Sequence, residues 1–155
     1  MCIRDRLGGA VALQVLAASP GSVRAVALVN PAVRIRSVVP LLDGIAGRPY
    51  GWTAEAERVA DELDLVARAG EIATPPPVLL VSGERDHPAL RADAADLVTA
   101  LRGRSARPDD VELVSVPGLA HPLADEPGLQ PAPQLPTAKA VDEILTRWFA
   151  RRLTG

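Results

Sequence analysis

Val78-Leu79-Leu80-Val81-Ser82-Gly83-Glu84-Arg85-Asp86 is the stretch whose reading decides the fold of this chain. It opens with a short, wholly apolar run, led in by Pro75, Pro76 and Pro77 and closed by Gly83. A run of that length without polar alternation reads as a strand buried on both faces, as in a parallel sheet covered by helices. It delivers an acid, Asp86, just past its C-terminal end, the side of an open α/β sheet where chemistry sits. A second strand is expected over residues 111–116, and it runs into Pro117-Gly118-Leu119-Ala120-His121. An acid and a histidine therefore follow two successive strands. That is the pair needed to orient a general base and to move a proton with it.

Working outward, residues 7–18 have helical composition with only Gln14 as a polar interruption, the signature of a buried helix. Gly8 and Gly9 at its start allow a close approach to a strand or ligand. Ser19-Pro20-Gly21 stops it. Residues 23–29 are the next strand, ended by Asn30-Pro31. The connection over residues 30–77 is longer than a direct crossover needs. It holds a loop, a short apolar turn around 38–45 and a helix over about 54–69, with Thr53 as N-cap and Gly70 as stop. We read a small lid or insertion at about 31–75. Beyond Asp86, Pro88 suits a first helical turn, and Leu90, Ala94, Leu97, Val98 and Leu101 form a helical stripe. Residues 122–136 hold five prolines and no periodicity, so they read as loop. A last helix over 137–153 buries Val141, Ile144, Leu145, Trp148 and Phe149. The alternation of elements specifies an α/β fold, three layers deep, with a short parallel sheet of about three strands. Those strands are expected side by side in chain order, 23–29 at the edge.

Composition bounds the function. At 155 residues the chain suits one domain with a sizeable core. Its net charge of -2, with acids and bases interspersed, argues against nucleic acid and against an anionic membrane. Cys2 is the only cysteine, which leaves no disulfide framework and no thiol cluster for a metal. No apolar run reaches the ~18 residues of a membrane span, and the start does not resemble a signal peptide. These features lead to the expectation of a cytoplasmic protein. Residues 1–6, Met-Cys-Ile-Arg-Asp-Arg, carry three charges straight into an apolar helix and read as a non-native leader.

Three pieces in fixed order carry a resemblance to the α/β-hydrolase fold family. Leu7-Gly8-Gly9-Ala10-Val11-Ala12-Leu13 looks like the residues just after a nucleophile elbow, Gly83-Glu84-Arg85-Asp86 follows a buried strand, and Gly118-Leu119-Ala120-His121 follows the last strand. Each alone is weak, whereas all three in the family's order of nucleophile, acid and histidine are fairly specific. The resemblance covers nearly everything from Leu7 onward and makes residues 7–155 the C-terminal part of one hydrolase domain. One departure is important. The elbow pattern Gly-x-Ser-x-Gly would place serine where Arg6 stands and glycine where Arg4 stands. Arginine has no nucleophilic oxygen, so the nucleophile is missing.

The resemblance implies a serine hydrolase of esters, thioesters or amides, acting on a small molecule or a peptide, with no metal or organic cofactor. Asp86 would be the acid, His121 the base, and the Leu7 N–H one donor of an oxyanion hole. As given, the chain is expected to be inactive. Other readings stand beside this one. Asp86 alone would suit a turn before a helix, and His121 alone a loop. His87 reads as a helix-start residue. Ser82 and Ser115 lie in or at the end of strands, not on an elbow. Gly8-Gly9 lacks the third glycine of a dinucleotide loop. A degenerate, non-catalytic hydrolase fold used for binding, or another α/β domain such as a nucleotide-binding one, is the alternative.

Overall fold

A computed structural model describes residues 2–19, 21–123 and 133–153. Its strands and helices follow in the order β1 (Cys2–Asp5), α1 (Arg6–Ala18), β2 (Val26–Val29), α2 (Ile35–Ala46), α3 (Ala54–Glu62) and α4 (Leu65–Arg68). After a 3-10 turn come β3 (Val78–Gly83), α5 (Pro88–Arg102), a second 3-10 turn, β4 (Val111–Val116) and α6 (Pro136–Leu153). The wholly apolar run at 78–81 became β3, and the apolar end of the run at 23–29 became β2, with every residue of both strands buried. All neighbouring strands pair in parallel, in the order β1-β2-β3-β4. Val26 stands opposite Val78, and Val78 opposite Val111.

The strand period of two splits the core into two layers. Val26, Leu28, Val78 and Leu80 point to one face, against Leu13 and Leu16 of α1 and Leu97 and Leu101 of α5. Ala27, Val29, Leu79 and Val81 point to the other, against Val141, Trp148 and Phe149 of α6. The expected stripe of α5, from Leu90 to Leu101, is fully buried. β4 shows a different pattern, because it is an edge strand with one face half-open to water.

Three expectations need correction. The strands expected at 23–29, 78–82 and 111–116 lie side by side in that order, but β2 is not the edge. Cys2–Asp5 pairs with Val26–Val29 and adds a fourth strand outside it. Strand pairing supplies those residues with ladder hydrogen bonds whatever their charge. Second, the short apolar turn around 38–45 is part of a full helix, α2, which keeps Pro40 inside it and closes on Gly47 at φ 68°. Third, the single helix expected at 54–69 is two helices. Asp64 breaks it by capping a new N-terminus, its carboxylate accepting from the N–H groups of Val66 and Ala67. The buried residues of this stretch are Ala60, Leu65, Ala69 and Ile72, while Val59 is exposed. Of the stretch expected as loop over 122–136, residues 124–132 lie outside the described residues, and Pro136 already opens α6.

Arg34, at the entry to α2, ties this region to α5. Its guanidinium reaches Asp93 at 2.8 Å and Asp96 at 2.7 Å on α5, and Asp64 at 3.4 Å. Burial alone would lower its pKa. The hydrogen bonds to Asp96 and Asp93 and the charges of Asp64 and Asp93 outweigh that and push it up, so the anchor stays cationic.

Candidate active site

Parallel strands bring all their C-terminal ends to one side of a sheet. The ends of β2, β3 and β4 there deliver Asn30, the turn from Gly83 to Asp86, and the loop that carries His121. At β1 the strand passes straight into a helix: β1 ends at Asp5 and α1 begins at Arg6. Residue 6 therefore stands at a strand-to-helix junction, and Leu7 lies in the first turn of α1, where backbone N–H groups have no intrahelical partner.

Asp86 and His121 come together. His121 Nδ1 lies 3.0 Å from Asp86 Oδ1 and 3.2 Å from Oδ2. A carboxylate only accepts, so Nδ1 is the donor and the proton sits there. In the neutral ring, that tautomer leaves Nε2 as the acceptor. The acid side chain is 2 % exposed, while the imidazole is 34 % exposed. The carboxylate is thus shielded from water, while the imidazole stays accessible. Asp86 Oδ1 also accepts from the His87 N–H at 2.7 Å, which fixes the carboxylate plane.

The turn and the loop lock to each other through the main chain. Glu84 N–H donates to the Val116 carbonyl at 3.1 Å and Arg85 N–H to the Leu119 carbonyl at 2.9 Å. Gly83 is required at this crossing. A Cβ built there would lie 2.3 Å from the Leu119 carbonyl oxygen, closer than any real contact. Relief must come from backbone two residues before His121. We expect Gly83→Ala to cost about 2 kcal/mol, in the range of overpacked sites, and to displace the imidazole from Asp86. A thermal melt unchanged from wild type would refute this.

The pair opens into a cavity of about 920 Å³. Its walls are mostly apolar: Ala32 and Val38, Leu41 and Leu42 of α2 on one side, Pro88 and Leu90 of α5 on another. Gly8 of α1 lines the same space as Asp86 and His121, which puts the start of α1 on the cavity that the imidazole also lines. Gly9 makes that approach possible, since its missing Cβ would sit 3.0 Å from the Pro31 side chain at the end of β2.

His87 borders the cavity too, but as a helix cap: its Nδ1 accepts from the Ala89 N–H at 3.3 Å. Ser82 and Ser115 face each other across the β3–β4 ladder, away from any elbow. Among the described residues no group of three or more His, Cys, Asp and Glu is placed to hold a metal ion. Among them, too, no helix is long and apolar enough to cross a membrane.

Sequence reading missed Asn30, which it took as a strand terminator. The residue is 2 % exposed, and its side chain reaches both the β3 end and the histidine loop. The available signal was a polar, turn-tolerant residue at the end of an apolar strand, in line with the ends that carry Asp86 and His121.

The sequence matches no protein-family model and no curated protein. Solved structures do match. The chain is similar to the esterase domain of a Rhodothermus marinus protein, with a TM-score of 0.62 and 23 % identity over 96 % of this chain and 60 % of that one. It is similar to the Paleococcus ferrophilus monoacylglycerol lipase, with a TM-score of 0.64 and 16 % identity over 97 % of this chain and 67 % of that one. It is also similar to MGS-MChE2, an alpha/beta hydrolase enzyme from a lagoon-sediment metagenome of Mar Chica, Morocco, with a TM-score of 0.58 and 14 % identity, over 97 % and 60 % of the two chains. The chain thus spans about three fifths of the length of the first of these.

Proposed function

With the α/β-hydrolase fold as premise, we propose that this chain carries the acid and base of a serine hydrolase acting on carboxylic esters, thioesters or amides. The observation that supports the reading best is the buried Asp86 held against His121 Nδ1, both residues lining an apolar cavity that Gly8 of α1 also lines. In a longer parent with serine at the elbow, the serine oxygen attacks the carbonyl carbon. His121 Nε2 takes the serine proton and returns it to the leaving group. Asp86 holds the tautomer and stabilises the imidazolium. The Leu7 N–H supports the oxyanion, and water then releases the acid. The apolar walls favour an uncharged acyl group over an ionic one.

Arg6 cannot serve as nucleophile, so the chain itself should be inactive. In an assay with p-nitrophenyl butyrate we expect no turnover above that of its His121→Ala variant. Turnover that His121→Ala abolishes would overturn this inactivity. A second reading, a degenerate hydrolase fold used for binding, draws its support from Arg4 and Arg6 at two of the elbow positions.

A further inference from the structure

We propose that Asn30 is a positioning residue for the base: its carboxamide fixes the peptide planes on both sides of His121 and so aims the imidazole at Asp86. The proposal rests on the reading of Asp86 and His121 as acid and base. Asn30 Nδ2 donates to the carbonyl oxygens of Ala120 at 2.9 Å and His121 at 3.1 Å. Its Oδ1 accepts from the Gly83 N–H at 2.7 Å. The three partners decide which end of the amide is nitrogen, because the reverse orientation would set oxygen against two carbonyl oxygens and NH2 against an N–H.

The geometry carries more than a satisfied buried amide. Ala120 and His121 are consecutive, so bonds to both of their carbonyls hold the peptide units that flank the His121 Cα. The other end of the amide grips Gly83, the first residue of the turn that delivers Asp86. One side chain, from a residue only 2 % exposed, thus ties the acid's turn to the base's loop from a third strand. It acts apart from the Gly83–Leu119 crossing, which pins the loop earlier. The backbone of Asn30 supports the role. Its φ of 43° lies in the left-handed region, and its N–H still completes the ladder to the Val81 carbonyl at 2.9 Å.

That positive φ offers the competing explanation, since asparagine and glycine are the residues that tolerate it. A residue present only for the turn would be replaceable by glycine. The test uses the 155-residue chain and long-range 1H–15N spectra of its histidine rings, with His121→Ala to assign the signals. Wild type should show His121 as a single tautomer with the proton on Nδ1. Asn30→Gly keeps the backbone unstrained but removes the clamp. Asn30→Asp keeps the shape and the acceptor but removes both donors. In each, we expect the His121 signals to collapse to an average of two tautomers while circular dichroism stays native-like. Retention of the Nδ1–H tautomer in either folded variant overturns the positioning role and leaves the acid–base reading intact. Absence of that tautomer in wild type overturns both. If Asn30→Gly does not fold, Asn30→Asp alone decides the case.

Discussion

Restoring the elbow should switch the site on. The double variant Arg4→Gly, Arg6→Ser creates Gly-Asp-Ser-Leu-Gly across residues 4–8, at the junction where β1 passes into α1. Gly8 at the end of that motif already lines the cavity that His121 faces. We expect the unmodified chain to resist a fluorophosphonate probe and the double variant to be labelled on residue 6. Adding His121→Ala should slow labelling by roughly 10²- to 10⁴-fold, the usual contribution of a positioned general base. Asp86→Asn should slow it too, since the imidazole would then lose the partner that holds its proton on Nδ1. Full turnover of esters is a stricter demand, because one oxyanion donor of the family comes from an earlier loop. Phosphonylation of a folded double variant at a rate indifferent to His121 would sink the assignment of the base. A double variant that is folded and stays unlabelled would count against residue 6 as the nucleophile position.

The largest effect on stability should come from Trp148→Ala. Trp148 is 1 % exposed and fills the layer between α6 and the sheet, beside Leu79, Val81 and Leu119. Its ring meets Phe149 edge-on, with centroids 5.0 Å apart. Its Nε1–H donates to Glu112 Oε1 at 2.6 Å, and Arg152 lies over the ring at 5.8 Å while bonding the same carboxylate. Truncation of a buried Trp to Ala costs about 3–5 kcal/mol, a large share of the ~5–15 kcal/mol that holds a domain together. Trp148→Phe keeps most of the volume and gives up the hydrogen bond, so its cost should stay near 1 kcal/mol. Urea unfolding measures both, as a lower midpoint at constant slope. A Trp148→Ala loss under 1 kcal/mol would show that α6 does not bear on the sheet as described. The effect reaches the site, because Leu119, two residues before His121, is fully buried in the same cluster.

Much of this protein was legible in the chain itself. The wholly apolar run at 78–81 specified a parallel strand covered on both faces, and the mostly apolar run at 23–29 specified its neighbour. The helical stripe of α5 and the apolar face of α6 follow from period alone. Asp86 and His121 were marked as partners by their positions after two strands. Parallel strands must share a C-terminal side, and that rule needs no coordinates. Other features depended on contacts distant in sequence. Nothing near residues 2–5 announces a strand; pairing with Val26–Val29 makes it one. The break at Asp64 needs a carboxylate to turn back on two N–H groups while Arg34 draws it from the other side. The cavity wall of Val38, Leu41 and Leu42 exists because α2 is a complete helix despite Pro40. Asn30 reaches residues 90 and 91 positions further along the chain. Local propensity says where a strand ends, but only the packed sheet says what the terminating side chain touches, because strand ends remote in sequence become neighbours solely through the order in which the strands assemble.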